Sequence, residues 1–206
     1  MAPYRRLGLV LFALVAAVGL RAASAAAPPA AAPLLAPEVA MGNPKAKVTV
    51  IEYGSAACPH CAHFNNDIFP AFKKKYVDSG KVRYVFREML TEPQQFAGTA
   101  FLMARCAGEA KYFDVLDDVF HEQDAIYQSG DLAGGLLKIG AKYGMDKDRL
   151  NACMDDKSLA ALNARLEKTE KEGVDATPTF VIAGTKMPGV QSLDQLSAAI
   201  DPLLAK

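Results

Sequence analysis

Two cysteines separated by two residues, Cys58 and Cys61, are the side chains in this sequence best placed to do chemistry. They follow the apolar run at residues 48–53, which predicts a strand, and they open a segment with helical periodicity. At such a junction the unpaired N–H groups and the dipole of the helix favour a thiolate at the first cysteine. The spacing and position predict a pair that cycles between dithiol and disulfide, in which Cys58 attacks and Cys61 resolves.

The residues around the two cysteines support this redox chemistry. Pro59 suits the first turn of a helix, and His60 supplies a donor or a cation that favours the thiolate. A c-type haem needs His directly after the second cysteine, where this sequence has Ala62, so haem is excluded. A metal site formed with His60 and His63 stays open as an alternative, although zinc usually needs a second ligand pair at defined spacing. A static disulfide is the third alternative, and we expect no metal or other cofactor.

Glu52 is an acid inside an otherwise apolar predicted strand, six residues before Cys58. It either faces solvent at an edge of the sheet or is buried beside the two sulfurs. A buried carboxyl has a raised pKa and can exchange a proton where bulk water does not reach. Glu52 is therefore a candidate catalytic residue, with the exposed position as the alternative.

The composition indicates a single globular domain that begins after an export signal. The chain has 206 residues, of which 51% are hydrophobic, and its zero net charge without a basic patch argues against nucleic-acid binding. Residues 1–25 combine a basic start, an apolar run at 9–20 and small residues at the end, as in a signal peptide. The apolar run is short for a membrane span, and an uncleaved anchor is the alternative. We expect an Ala/Pro-rich linker at 26–44 and the domain at 45–206.

Export also determines how the four cysteines are interpreted. In an oxidising compartment thiols pair, and because Cys58 and Cys61 form one short loop, elimination leaves Cys106 with Cys153. The chain-entropy model gives roughly 4 kcal/mol for the long loop and about 2 kcal/mol for the short one. We therefore predict a structural disulfide at Cys106–Cys153 and a working pair at Cys58–Cys61.

The first half of the domain predicts an α/β unit that presents the dithiol. A strand at residues 48–53, a helix at 59–78 and a strand at 81–87 form a βαβ unit, whose two strands should be parallel. Pro70 should kink or divide the helix.

The second half predicts a helical insertion and a return to strand. About five short helices fill residues 91–172, the first opening on a capping box at Thr91. Pro178, which follows Thr177 at the start of the next strand, cannot donate to a sheet and is a candidate cis proline. Such a bend would leave backbone groups free beside the disulfide to pair with an extended substrate. A second capping box at Ser192 opens the last helix.

The dithiol at Cys58-Pro59-His60-Cys61, Thr177-Pro178 about 120 residues later and the helical insertion resemble the DsbA-like branch of the thioredoxin superfamily. The resemblance covers residues 48–204. It implies a thioredoxin fold with an inserted helical domain, in which Cys58 is the nucleophile and Cys61 resolves. It further implies that His60 stabilises the thiolate, that Thr177-Pro178 is the substrate loop and that Glu52 is the buried acid.

The resemblance also implies a function and partners. We expect a monomeric oxidase in the periplasm that introduces disulfide bonds into unfolded exported proteins with free thiols and is reoxidised by a DsbB-like membrane protein. The alternative enzyme is a disulfide isomerase or reductase, although isomerases of the superfamily usually dimerise through an extra N-terminal domain. The alternative from another class is a module that binds copper or another metal.

Two positions depart from the family pattern. Thr177 stands where the best-known oxidase has Val, and a Thr there is familiar from isomerases, so the resemblance leaves the oxidising strength open. The lysine that accompanies the buried acid in some members has no clear match, and Arg87 is the nearest candidate. The pair Cys106 and Cys153 resembles a structural disulfide found in a subset of the family.

Overall fold

The computed structural model describes residues 38–205, which contain a five-stranded mixed sheet. Strand β2 lies at its centre between β3, to which it is parallel, and β4, to which it is antiparallel; β1 and β5 are antiparallel edge strands. The dithiol loop therefore starts from the middle of the sheet. The strands are β1 (Val39–Gly42), β2 (Val48–Gly54), β3 (Val82–Glu88), β4 (Thr179–Ile182) and β5 (Thr185–Pro188).

The helices follow the predicted α/β order. The helical run after β2 is divided near Pro70 into α1 and α2, each followed by a π-helical turn, and it returns the chain to the parallel strand β3. The βαβ prediction is thus correct. The helices are α1 (Pro59–His63), α2 (Phe69–Phe72), α3 (Gln94–Cys106), α4 (Tyr112–Ser129), α5 (Leu132–Lys142), α6 (Lys147–Cys153), α7 (Asp156–Lys171) and α8 (Leu193–Ala205).

The N-terminal boundary of the domain lies earlier than the sequence suggested. Strand β1 falls inside the predicted linker at 26–44 and pairs with β3, with Val39 opposite Phe86. Val39 is only 3% exposed, so its burial holds the strand in place. Four residues rich in Ala and Gly are too short to show alternation, which is why the prediction missed this strand. The predicted signal peptide, residues 1–25, and the linker up to residue 37 lie outside the described residues.

Five helices, α3 to α7, stand between β3 and β4 and form the predicted insertion. The first does not open on a capping box: its N-cap is Pro93, which provides no side-chain cap. The Thr91 hydroxyl instead donates to Ser55 Oγ at 2.9 Å, beside the dithiol loop. The second predicted box is correct, because Ser192 and Gln195 exchange side-chain and backbone hydrogen bonds at the start of α8.

A buried carboxylate at the end of β3 joins the insertion to the sheet. Glu88 accepts hydrogen bonds from Arg105 Nε at 2.9 Å on α3, from Tyr112 Oη at 3.0 Å on α4 and from Arg165 Nε at 2.6 Å on α7. Three hydrogen-bonded donors compensate the cost of burying the charge. Glu88 therefore holds α3, α4 and α7 against β3, the strand that pairs with β2.

No helix within residues 38–205 combines the length and apolar character that crossing a bilayer requires.

Candidate active site

The loop after β2 places Cys58 at the first turn of the helical run. Cys58 is the N-cap of α1, its N–H donates to the Ser55 carbonyl at 3.1 Å, and Pro59 follows in the first turn. The Cys58 carbonyl accepts from the N–H groups of Cys61 and Ala62 at 3.0 and 3.1 Å. This extended N-cap conformation leaves the sulfur beside backbone donors that have no partner within the helix.

Cys58 and Cys61 are both free thiols but differ in exposure, since Cys58 is 7% exposed and Cys61 is fully buried. A hydrogen bond with the Cys61 side chain lowers the pKa of Cys58 to about 5, although burial opposes the shift. The Thr177 side chain and the N–H groups of Cys61 and His60 lower this pKa further. At neutral pH, Cys58 is therefore a thiolate, the nucleophilic form of a cysteine.

Cys61 has the opposite electrostatic environment. Burial raises the pKa of its thiol well above the ordinary value, and so do its hydrogen bond to Cys58 and the negative charges of Glu52 and Cys58. The Ser55 N–H approaches the Cys61 sulfur at 3.4 Å. One site thus holds an anionic sulfur beside a sulfur that keeps its proton, so the two can act as nucleophile and resolving thiol.

Glu52 is buried rather than at a solvent-facing edge, because β2 is the central strand and the side chain is 2% exposed. Its Oε2 accepts a hydrogen bond from the Tyr84 hydroxyl of β3. Burial raises the pKa of Glu52 to about 8, the Tyr84 hydrogen bond partly opposes this, and the charge of Cys58 adds to it. Glu52 can therefore hold or release a proton near neutral pH beside the dithiol.

Glu52 also lines a cavity of about 240 Å³. Its wall also includes Tyr84, Asn65, Asp114 and Asp117, of which the two aspartates are exposed.

Replacing Tyr84 by Phe should raise the pKa of Glu52. The carboxylate loses the hydroxyl that favours its charged form, and a hydrogen bond to a charged group accounts for about one pH unit. The pH dependence of the Glu52 carboxyl ¹³C shift in the reduced protein measures this. Tyr112→Phe is the matched control, because the Tyr112 hydroxyl donates to Glu88 instead. An unchanged Glu52 titration in Tyr84→Phe would contradict the assignment.

The structure brings the Thr177-Pro178 loop to the reactive sulfur. The peptide bond between these residues is cis, and the Cys58 sulfur lies 3.4 Å from the Thr177 carbonyl oxygen. Pro178 is buried, and its carbonyl accepts from the Gly189 N–H at 2.8 Å, which ties the loop to the end of β5. The cis Thr177-Pro178 loop therefore lies directly beside the Cys58 sulfur.

The imidazole of His60 is exposed, and it is the His60 backbone N–H that stabilises the Cys58 thiolate. Pro59 is likewise exposed. His63 points to Asp67, whose Oδ2 lies 2.6 Å from its Nδ1. Within residues 38–205, no three His, Cys, Asp or Glu side chains lie together as a metal site.

Three other predicted residues lie away from the dithiol. Cys106 and Cys153 are bonded to each other at the ends of α3 and α6, with their Cα atoms 5.9 Å apart, so the pair links two helices of the insertion. Arg87 does not accompany Glu52; it binds Glu38 and Glu172 and donates to the Tyr53 hydroxyl at 2.6 Å. Arg87 therefore does not match the family lysine, and Tyr84 occupies the place beside the acid.

Sequence reasoning missed three residues that contact the site. Tyr84 lies on the inward face of its strand, and a polar atom on that face was a signal that it needs a buried partner. Gln123 and Tyr127 of α4 donate to the carbonyl oxygens of Ala56 and Ala57 in the dithiol loop. Nothing local in α4 indicates these contacts, which span about 70 residues of chain.

Comparison with known proteins agrees with this geometry. A family model described as thioredoxin matches residues 35–202. The protein named "Putative protein-disulfide oxidoreductase" from Rickettsia conorii is 35% identical over 170 residues, which cover 81% of this chain and 60% of the relative. The chain spans about three fifths of the length of the curated Rickettsia relatives it matches.

Solved structures show the same fold. Wolbachia pipientis alpha-DsbA1 superposes with a TM-score of 0.71 at 29% identity, covering 82% of this chain and 91% of that one. BdbD from Bacillus subtilis, at 23% identity and a TM-score of 0.68, covers 82% and 94% and supports the fold. The predicted fold class and the resemblance are confirmed: the chain belongs to the thioredoxin family, as a DsbA-like member with an inserted helical domain.

Proposed function

We propose that the protein is an exported thiol:disulfide oxidoreductase that introduces disulfide bonds into secreted or periplasmic proteins. The single observation that carries the proposal is the pairing of an anionic Cys58, the more exposed of the two sulfurs, with a fully buried, protonated Cys61. An anionic Cys58 stabilises the reduced pair, so its disulfide is readily donated. The relatives named protein-disulfide oxidoreductase and the DsbA structures support the same chemistry.

The exchange takes two steps. A client thiolate attacks the Cys58 sulfur of the Cys58–Cys61 disulfide, a mixed disulfide forms, and Cys61 leaves as a thiolate. Cys61 takes up a proton, for which Glu52 is the buried donor. A second client thiolate then attacks the client sulfur of the mixed disulfide, and Cys58 leaves as a thiolate. The client loses two electrons as it gains a disulfide, and the dithiol receives both.

The partners follow from the same chemistry. The client is an unfolded exported chain with free thiols, and Thr177 and Pro178 beside Cys58 are its candidate binding residues. Oxidised protein must be regenerated, and we assign this step to a membrane protein of the DsbB type. We propose that residues 1–25, whose pattern is that of a signal peptide, direct export to the periplasm, and we expect a monomer.

A redox equilibrium with glutathione tests the proposal. The Cys106→Ala/Cys153→Ala variant retains only the working pair, so the reduced fraction reports a single couple. We expect a potential well above the value of about −270 mV that is typical of thioredoxin. A couple as reducing as thioredoxin would exclude an oxidase and favour a reductase, and efficient refolding of a scrambled substrate would favour an isomerase.

A further inference from the structure

Two side chains of helix α4 reach the loop that carries the reactive sulfur. Gln123 is fully buried, and its Nε2 donates to the carbonyl oxygens of Ala56 at 2.8 Å and of Cys58 at 3.5 Å. Tyr127, one helical turn further, donates its hydroxyl to the Ala57 carbonyl at 2.9 Å. Three successive carbonyl groups are thus held by donors from one face of one helix.

Packing alone does not explain an amide at position 123. Within the part of the chain that the structure describes, Gln123 Oε1 is the buried side-chain atom without a hydrogen-bond partner. Such an orphaned oxygen is unfavourable, and an apolar side chain of similar size would avoid it. The donor end of the amide, which binds Ala56, is therefore what this position contributes.

The direction of these carbonyl groups matters to a charged sulfur. Each carbonyl oxygen carries a partial negative charge, so one that turned toward the Cys58 thiolate would repel it. Donors from α4 keep the oxygens of Ala56 and Ala57 directed at the helix. Tyr127 also lies close to this charge. Burial and the Cys58 thiolate raise the pKa of Tyr127 to about 12, so its hydroxyl keeps its proton and remains a donor.

We propose that Gln123 and Tyr127 are positioning residues for the exchange at Cys58, through which helix α4 fixes the loop carbonyls so that the anionic sulfur is favoured. The inference rests on the proposed function, since it takes the Cys58 thiolate as the reacting group. It gives the helical insertion a part in setting the oxidising strength of the dithiol.

Conservative variants test this role. Tyr127→Phe and Gln123→Met remove the donors with little change in volume, and each should lower the ratio of thiolate to thiol at Cys58 about two- to tenfold at a fixed acidic pH. The readouts are thiolate absorbance against pH in the reduced protein and the equilibrium with glutathione. Tyr143→Phe is the matched control, because its hydroxyl donates to Asp118 at 2.7 Å within the insertion, and it should change neither.

The outcomes separate this inference from the proposed function. A lower Tm with an unchanged Cys58 titration in both variants would assign the residues a purely structural role and overturn the inference. If Gln123→Met does not fold, Tyr127→Phe decides, since it removes a single hydroxyl oxygen. A wild-type Cys58 that titrates like an ordinary cysteine would instead overturn the proposed function.

Discussion

Replacing Cys58 by Ser is expected to lower the rate of disulfide transfer to a reduced client by about a thousandfold or more, the scale of losing a covalent nucleophile. Cys58 is the more exposed sulfur of the pair and lies 3.4 Å from the Thr177 carbonyl, where a client chain can reach it. A hydroxyl at this position cannot form the mixed disulfide. The measurement is the rate at which a reduced, unfolded client protein gains disulfides under excess oxidised enzyme.

Cys61→Ser is the matched control, because it removes the other sulfur of the pair. This variant keeps the Cys58 thiolate, so it should not transfer disulfides but should accumulate a mixed disulfide with a client whose thiol has been activated. Cys58→Ser should accumulate none. Equal trapping by both variants, or transfer by Cys58→Ser at a rate near that of the wild type, would reject Cys58 as the attacking sulfur.

The position of the site could be predicted from sequence because its signals are local. The strand, the two cysteines and Pro59 are contiguous in the chain, and helix-end electrostatics act over a few residues. Thr177-Pro178 lies far along the chain, but a proline opening a strand is conspicuous by itself. These elements were correctly predicted, and the division of the helix near Pro70 followed from the same local reasoning.

The parts that could not be predicted depend on long-range contacts. Tyr84 meets Glu52 only because β2 and β3 pair in parallel with Val50 opposite Tyr84. Gln123 meets the dithiol loop only because α4 packs on α1, and its sequence neighbours give no sign of this. Strand β1 is stabilised by the edge of a sheet that forms from later residues. In each case the partner is chosen by tertiary packing, which overrides local propensity.

Reduction of the Cys58–Cys61 pair is expected to change the stability of the protein by an amount that becomes more favourable as pH rises, set against a pH-independent loss of about 2 kcal/mol when the short disulfide opens. The pKa of Cys58 falls from 9.0 to about 5 in the folded protein. Between these values the unfolded chain binds the additional proton, so the stability of the reduced form rises with pH and is lost as pH falls through about 5. At neutral pH the ratio of thiolate to thiol is about a hundredfold in favour of thiolate.

Glu52 changes the stability of the protein with pH in the opposite direction to Cys58. The comparison must therefore separate these two contributions. Because the pKa of Glu52 is raised from 4.5 to about 8, the unfolded chain loses this proton first, and stability falls as pH rises between these values. Burial, the main cause, is common to the reduced and oxidised proteins, whereas the smaller contribution from the charge of Cys58 is present only in the reduced form. The difference between the two forms therefore reports the Cys58 thiolate together with its interaction with Glu52. Cys61 adds little to the pH dependence of stability in the acidic to neutral range, because its pKa is raised and its thiol stays protonated there.

The measurement is the Tm of the reduced protein minus that of the oxidised protein across the acidic to neutral range. We expect the difference to be several degrees more positive at neutral pH than at about pH 5, since about 2–4 °C corresponds to 1 kcal/mol in a domain of this size. The difference should shrink as pH falls toward about 5. A Cys58→Ser/Cys61→Ser variant reports any effect of the reductant on the Cys106–Cys153 disulfide. A difference that stays the same from neutral pH down to about 5 would mean that the Cys58 sulfur is not held as an anion, and the disulfide would then have no electrostatic reason to be a strong oxidant.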